Sequence, residues 1–517
     1  MIRASVVVPV FNPGAHIDDC IASLVGQSLP TDEYEAIFVD DGSTDGTGER
    51  LDALAAEHPH VRVAHIPNSG WPGRPRNVGL DMAHGEFVLF ADNDDYLEPD
   101  ALERLLAMAM QDEADIVIGK VVGHGKYVPP ALFARNLHNV SLRDAPLVSL
   151  LSPHKLFRRS FLEAHGLRFP EGRRRLEDHV FVLQAYFATD RTSVLADHPC
   201  YHWMRRGKQT ASSAEWDPVP YYEAVREVLD IVDANTEPGA LRDRLYMRWY
   251  RGKTLGRLGG YRSALTWRSP EWRRAVFAEV RRIVDERFGE HLDARLPFGE
   301  RIRAALVRAG DFDAVLALAR FEHALVARPV LRRSSTSGRD VELELSVQLA
   351  SGGAPLRYRR AAGRLLWDAP PAVAAHLPEG VLDATEDLER STAKVFARAV
   401  RSKAQHVLPT TTEIVLDETP DGHVEPRLVL RATLRPATAA AGSALRPGGY
   451  DHPVIAHVGG FAGEGVARRA RGLPPLATRV SADGGARVRV TTARAAALGL
   501  ARRMPRLARA AKRAGGR

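Results

Sequence analysis

Three carboxylates crowd into four positions at Asp92-Asn93-Asp94-Asp95, directly after the apolar run Phe87-Val88-Leu89-Phe90-Ala91. Like charges at that density repel, and a fold tolerates them when a hard divalent cation or a polar rim neutralises them. Residues two apart on an extended strand end point to one side, so Asp92 and Asp94 are the expected pair on a single Mg²⁺ or Mn²⁺. An ion held by one or two carboxylates and by diphosphate oxygens stabilises the negative charge on a departing nucleotide. The competing reading is a solvated turn leading into Glu98-Pro99-Asp100, whose acids suit a helix start. A second acidic group, Asp40-Asp41-Gly42-Ser43-Thr44-Asp45, follows the apolar run Ala36-Ile37-Phe38-Val39, and Phe11-Asn12 follows Val6-Val7-Val8-Pro9-Val10. In an open α/β sheet, ligands bind beyond the carboxyl ends of the strands, so both loops fall on one rim, where Asp40 and Asp41 can accept hydrogen bonds from a base or ribose. The same residues make good turns and helix starts, a role that Asp45 fits well.

The elements that must carry these loops are legible as an α/β domain with a largely parallel sheet. The pattern predicts strands over Ser5–Val10, Glu35–Val39, Val61–His65, Phe87–Phe90 and Asp115–Ile118. Ile17, Cys20, Ile21 and Leu24 recur at helical spacing and supply a stripe to pack on that sheet. From about Tyr221 the helical period dominates: Ser269-Pro270-Glu271 reads as an N-cap, a first-turn proline and an early acid, followed by the stripe Trp272, Val276, Val280 and Ile283. After Arg332–Arg339 the period changes to two. Val341, Leu343, Leu345, Val347 and Leu349 alternate with polar residues, as do Leu428, Leu430, Ala432 and Leu434, and Asp483-Gly484-Gly485 suits a hairpin turn. Asp383–Ala404, inside this β-rich region, reads as helical. In the tail, Leu500, Met504, Leu507 and Ala511 share one helix face with arginines elsewhere, which suits either a membrane-surface anchor or a solvated basic tail.

Across 517 residues the hydrophobic share of 45% and charged share of 26% are those of a globular protein of several domains. No run of about 18 apolar residues occurs and the first residues enter a strand, so a cytoplasmic protein is expected, at most peripheral at the inner membrane face. Cys20 and Cys200 read as reduced thiols. The net charge of +7 favours polyanions, acidic membrane surfaces or phosphorylated partners. Neither zinc-ligand spacing nor a nucleic-acid module is present, so nucleic acid is not an expected partner.

Taken in order, Val8-Pro9-Val10-Phe11-Asn12, Val39-Asp40-Asp41-Gly42-Ser43-Thr44-Asp45, Arg76-Asn77-Val78-Gly79 and Asp92-Asn93-Asp94-Asp95 resemble the family-2 glycosyltransferases, which have the GT-A fold. The resemblance implies inverting transfer from a nucleoside-diphosphate sugar. Pro9, Phe11, Asp41, Asn68 and Arg76 would surround the base and ribose, with Asp40 beside them, while Asp92, Asp94 and Asp95 would lie at the sugar and metal. Longer matches, Asn68-Ser69-Gly70-Trp71-Pro72-Gly73-Arg74-Pro75-Arg76-Asn77, Ser152-Pro153-His154-Lys155-Leu156-Phe157-Arg158 and Phe169-Pro170-Glu171 with Glu177-Asp178, are similar to the poly(ribitol-phosphate) N-acetylglucosaminyltransferases of wall teichoic acid synthesis. That likeness implies Asp178 as the base, Glu177 as its orienting neighbour, UDP-GlcNAc as donor, Mn²⁺ or Mg²⁺ as cofactor, an anionic glycopolymer as acceptor and a trimer formed through the C-terminal region. Glu177 and Asp178 equally suit the start of a helix through Phe187. Trp71 departs from the subgroup's small residue beside the donor loop, and Thr210 replaces its histidine near the metal. Lys208 or Arg206 offers charge to the diphosphate, and the run Arg173-Arg174-Arg175 offers charge to a polyanionic acceptor or to solvent. The expected division is a catalytic domain over 1–220, a helical linker over 221–331, a sandwich-like β domain over 332–492 and a basic tail over 493–517. A capsular or exopolysaccharide glycosyltransferase, and a non-catalytic GT-A scaffold with a polymer-binding β domain, are the alternative functions.

Overall fold

The computed structural model describes residues 1–206, 216–260, 264–403, 405–440, 444–468, 477–481 and 486–489. The segment with Lys208 and Thr210, the turn at 483–485 and the tail at 493–517 lie outside the described residues. Two compact units form, one from residues 1–259 with most of 264–316, the other chiefly from Ala317 onward.

In the first unit, β1 (Ala4–Val10), β2 (Tyr34–Asp40), β3 (Val61–His65) and β4 (Phe87–Phe90) are parallel, in the order β3-β2-β1-β4. Every residue of β1, β2 and β4 is buried, as strands covered on both faces require. The further strands are β5 (Tyr96–Leu97), β6 (Ile116–His124), β7 (Leu137–Val140), β8 (Leu156–Arg158) and β9 (Thr192–Met204); beyond β4 the sheet runs β8-β6-β9 and ends at the short β5, with β8 antiparallel between β4 and β6 and β7 paired to β9. The expected strands are present, Val61–His65 and Phe87–Phe90 as predicted and the others with edges moved by one residue, except that β6 extends well past Ile118.

Helix α1 (Asp18–Val25) buries Cys20 and Leu24, and Ile17 just before it is also buried. After α2 (Thr47–Glu57), helix α3 (Gly73–Met82) lies so close to the sheet that a Cβ on Gly79 would stand 2.3 Å from Val7 Cγ1. Glycine in Arg76-Asn77-Val78-Gly79 thus sets how near Arg76 comes to the strand ends. Helices α4 (Ala101–Gln111), α5 (Arg159–Ala164) and α6 (Glu177–Phe187) complete the α/β layers. Behind them lie the helices Pro218–Asn235, Ala240–Trp249 and Pro270–Arg287, with a π-helical turn at Tyr250–Leu255. Ser269 Oγ accepts from the Trp272 backbone N–H, Pro270 occupies the first turn, and Val276, Val280 and Ile283 are buried, as the capping pattern predicts.

The second unit is β-rich, with fourteen strands joined by hydrogen bonds into one sheet among the described residues. Leu325–Ser337 and Asp340–Ser351 form a long antiparallel pair, and His423–Leu434 joins the latter's other edge. Val341, Leu343, Leu345, Val347 and Leu349 are all buried, as are Leu428, Leu430, Ala432 and Leu434, so the period of two reports the core face. The strand Thr392–Ala399 also packs on His423–Leu434 without pairing with it, so the sheet folds over itself. Asp383–Ala404 is not the helix its composition predicts: among the described residues only Thr385–Glu389 is α-helical, and Thr392–Ala399 pairs with Pro453–Val458. Ala393, Val395 and Ala397 are buried at alternate positions, and tertiary pairing overrides helix propensity. Among the described residues no helix is long and apolar enough to cross a membrane.

Candidate active site

The parallel pairing of β1, β2 and β4 brings the loops after them to one rim. Asp40 Oδ1 accepts from the Ser43 N–H at 3.0 Å and Oδ2 meets His65 Nδ1 at 3.0 Å. Asp41 accepts from the Ser69 N–H at 2.8 Å and from Ser69 Oγ at 2.9 Å, while Asn68 Nδ2 donates to the Asp41 carbonyl. Both aspartates are buried and hold the 40–45 and 66–71 segments together. Asp45 accepts from Gly14 and Thr47 N–H groups, the turn role its position suggests. Pro9 is buried and its carbonyl accepts from Asn93 Nδ2, which ties the first loop to the acidic one. Phe11 stands 50% exposed on the rim, an aromatic face turned to solvent beside these polar loops.

The acidic loop does not continue as an extended strand. The Asp95 N–H donates to the Asp92 carbonyl at 3.2 Å, and this turn brings residues three apart, rather than two apart, to one side. Asp92, Asp95 and His154 therefore gather, each offering a ligand atom within 4.8 Å of the others. Asp94 stands outside that triad, although burial and then the Asp92 charge push its carboxyl upward. Asp95 accepts from Tyr201 Oη at 2.8 Å and from the Met204 N–H at 2.7 Å, and burial and its acidic neighbours raise it well above the usual range. For Asp92 burial acts the same way, but the His154 ring at 2.9 Å and Arg76 hold its carboxyl far below that range. His154 stacks on Tyr201 at 4.3 Å, and its buried Nδ1 has no partner among the described residues. Two carboxylates and an imidazole make a donor set that fits a hard or borderline divalent cation, and a cation would relieve the charge that drives Asp94 and Asp95 upward.

Arg76 joins this cluster to the other pair of acids. Its side chain is buried, with the residue 4% exposed; Nη2 donates to Asp92 Oδ1 at 2.9 Å and Nη1 to Glu177 Oε1 at 3.3 Å. The second Glu177 oxygen accepts from Trp71 Nε1 at 2.9 Å. Residues 71, 76, 92 and 177 thus form one hydrogen-bonded chain, and Arg76 lies inside it as a bridge. Burial and then Asp178 push Glu177 up to about 7. Asp178, next on α6, accepts from the His179 N–H at 2.8 Å; burial raises its carboxyl although Lys253 and Arg76 pull it down. The charge of Asp178 acts on two lysines, the buried Lys155 and the half-buried Lys253, which desolvation lowers to about 7 each. Lys253 comes from the π-helical turn, a distortion common at functional sites, and Arg248, Arg257 and Arg175 add charge near it. Arg206 pairs with Asp19 at 2.5 Å and donates to the Asp94 carbonyl at 3.0 Å, which ties it to the acidic loop. Arg174 pairs with Glu227. No role for His154, Tyr201 or Lys253 follows from the sequence; the one local signal is that His154 and Lys155 stand inside Ser152-Pro153-His154-Lys155-Leu156-Phe157-Arg158.

An acidic and imidazole triad at the carboxyl ends of a GT-A sheet, linked by a buried arginine to acids on another helix, is the arrangement of the nucleotide-sugar transferase class of fold. Residues 5–172 match the family model described as glycosyl transferase family 2, and residues 218–319 match the one described as glycosyl transferase TarS linker domain. The chain thus carries a family-2 glycosyltransferase domain followed by a TarS linker domain. It is 36% identical over 235 residues to a poly(ribitol-phosphate) beta-glucosyltransferase of Bacillus spizizenii, covering 45% of this chain and 37% of that protein. It is 31% identical over 318 residues to the poly(ribitol-phosphate) beta-N-acetylglucosaminyltransferase TarS of Staphylococcus aureus, covering 60% of this chain and 54% of that protein. The aligned region thus spans about half the length of these relatives or less. The crystal structure of S. aureus TarS 1-349 in complex with UDP-GlcNAc superposes with a TM-score of 0.54 at 27% identity, covering 68% of this chain and 99% of that one. The S. aureus TarS structure, at 20% identity and a TM-score of 0.55, covers 95% of this chain and 86% of that one, and shows the shared fold across both units.

Proposed function

We propose that this chain is an inverting, metal-dependent glycosyltransferase that moves N-acetylglucosamine from UDP-GlcNAc to a hydroxyl of a polyol-phosphate polymer of the teichoic acid type. The observation that carries the proposal is the Arg76 bridge, which puts a cation-binding triad and a pair of basic carboxylates into one site. The relatives' acceptor and the ligand of the 27%-identical TarS structure support the choice of substrates.

Asp178 accepts the proton of the acceptor hydroxyl as that oxygen bonds to the anomeric carbon. The bond from the anomeric carbon to the diphosphate breaks with its electron pair, and the nucleotide leaves. A carboxyl raised by burial is a stronger base than an ordinary aspartate. Glu177, held by Trp71 and Arg76, orients the turn that carries Asp178. Asp92, Asp95 and His154 would hold the metal, with Asp94 at the sugar, and a bound divalent cation supplies Lewis-acid stabilisation of the diphosphate leaving group. Phe11 offers its exposed face to the nucleobase, with Pro9, Asp40, Asp41 and Asn68 shaping the loops around it. Lys253, Arg248 and Arg175 make the acceptor side positive, which suits phosphodiesters. The implied trimer, the cytoplasmic setting at the inner membrane face and surface contact by the basic tail belong to the same proposal.

The test is transfer of labelled sugar to poly(ribitol phosphate) with Mn²⁺. Wild type should label the polymer, EDTA should abolish labelling, and Asp178→Asn should lose about 10²- to 10⁴-fold in kcat. Labelling from UDP-glucose alone would keep the mechanism and reassign the sugar, as the Bacillus relative's name allows. Absence of metal-dependent transfer from either donor would refute the proposal.

A further inference from the structure

A run of aromatic rings and guanidinium groups leads away from Glu177 and Asp178 across the first unit. It begins at Trp71, whose indole N–H is held by Glu177 and whose ring lies under the Arg175 guanidinium at 5.6 Å. Arg257 is near enough that its charge, after burial, depresses Arg175. Arg257 in turn lies over Trp216 at 5.4 Å and over Tyr221 at 5.0 Å. Trp216 meets Trp272 edge-on at 4.9 Å, and Trp272 Nε1 donates to the Trp216 carbonyl at 3.1 Å. Arg268 then spans Trp272 at 5.6 Å and Trp267 at 4.6 Å, and Trp267 ends the run 62% exposed.

We propose that this alternating track is an acceptor-binding surface that holds units of an anionic polyol-phosphate or sugar-phosphate chain beyond the one being glycosylated. The inference rests on the acceptor class proposed above. Aromatic faces take the C–H surfaces of polyols and sugars, and guanidinium groups take phosphates, so alternation of the two matches a polymer that alternates the same chemistries. Packing alone accounts for Trp216 and Tyr221, which are largely covered. Trp267 is a large ring left in water on the same unit as the active site, joined to the covered rings through Arg268. The track makes the enzyme sensitive to acceptor length: a chain long enough to reach Trp267 gains contacts that a single unit cannot make.

Trp267→Ala and Arg268→Ala test it in the full chain. Because Trp267 is exposed, its removal should leave the melting temperature unchanged. With a polymeric acceptor, KM should rise about tenfold at unchanged kcat, equivalent to roughly 1.4 kcal/mol; with a one- or two-unit acceptor, KM should not move. Trp267→Phe should retain most of the polymer affinity. Equal KM for polymer in wild type and Trp267→Ala, or an equal rise for short and long acceptors, would overturn the track. Should wild type transfer to neither acceptor, the proposed function fails, and the track is judged by tryptophan fluorescence on adding poly(ribitol phosphate). Quenching with a weaker Kd in Trp267→Ala then supports it, and an identical Kd, or no quenching, overturns it.

Discussion

Removing the charge of Arg76 while keeping its bulk, as Arg76→Met does, isolates the bridge on which the site depends. In the wild type this guanidinium serves Asp92 at 2.9 Å and Glu177 at 3.3 Å from a buried position. Its loss leaves Asp92 with His154 and Glu177 with Trp71, each short of a cation. Removing one partner of a buried ion pair costs about 3–5 kcal/mol. Part of that cost depends on pH. Glu177 is already raised to about 7 against the pull of Arg76, so it rises further when Arg76 goes. An acid whose folded pKa lies above its unfolded value binds more protons folded than unfolded, so stability falls as pH rises through that window. At pH 6 Glu177 is largely protonated in both proteins and contributes little to the difference; at pH 8.5 the variant bears its full share, roughly 2 kcal/mol. Differential scanning calorimetry should show a loss of about 3–5 kcal/mol at pH 8.5, roughly 6–20 °C in the melting temperature of this unit, and a visibly smaller loss at pH 6. Adding Glu177→Gln should restore part of the stability at pH 8.5. A loss under about 1 kcal/mol at pH 8.5, or a larger loss at pH 6 than at pH 8.5, would refute the bridge as the element that holds the two acidic groups together.

Three further outcomes are expected. His154→Ala should weaken Mn²⁺ binding, read by titration calorimetry with the metal alone, by roughly 10- to 100-fold, and unchanged affinity would remove His154 from the metal site. Phe11→Ala should raise the donor KM about tenfold with little change in melting temperature, because base stacking is worth about 1–3 kcal/mol and the ring is exposed; an unchanged KM would take the nucleobase elsewhere. Gly79→Ala should destabilise by about 1–3 kcal/mol and lower activity, since the new methyl meets Val7 at 2.3 Å and must push α3, with Arg76, off the sheet. Wild-type stability and kinetics in Gly79→Ala would show that the helix sits less tightly than described.

What could be read from the chain alone was whatever has a short period or a local turn. Apolar runs ending in acids marked β1, β2 and β4, Ser269-Pro270 marked a helix start, and the alternation from Val341 to Leu349 marked a sheet, because burial of one face imposes these patterns within ten residues. The motif resemblance selected the rim residues and Glu177-Asp178 as a set. The tertiary structure decided the rest. Asp92 meets His154, 62 positions away, and Glu177 meets Trp71, 106 positions away, through hydrogen bonds that exist only once helices and strands are packed. A single backbone hydrogen bond from Asp95 to Asp92 turns the acidic loop and brings Asp95 beside the imidazole with Asp92. Arg76 reaches both Asp92 and Glu177 from a helix that Gly79 lets press on the sheet. Thr392–Ala399 became a strand because Pro453–Val458 offered it an edge. In each case the deciding partner lies far along the chain, where periodicity carries no information and packing geometry carries all of it.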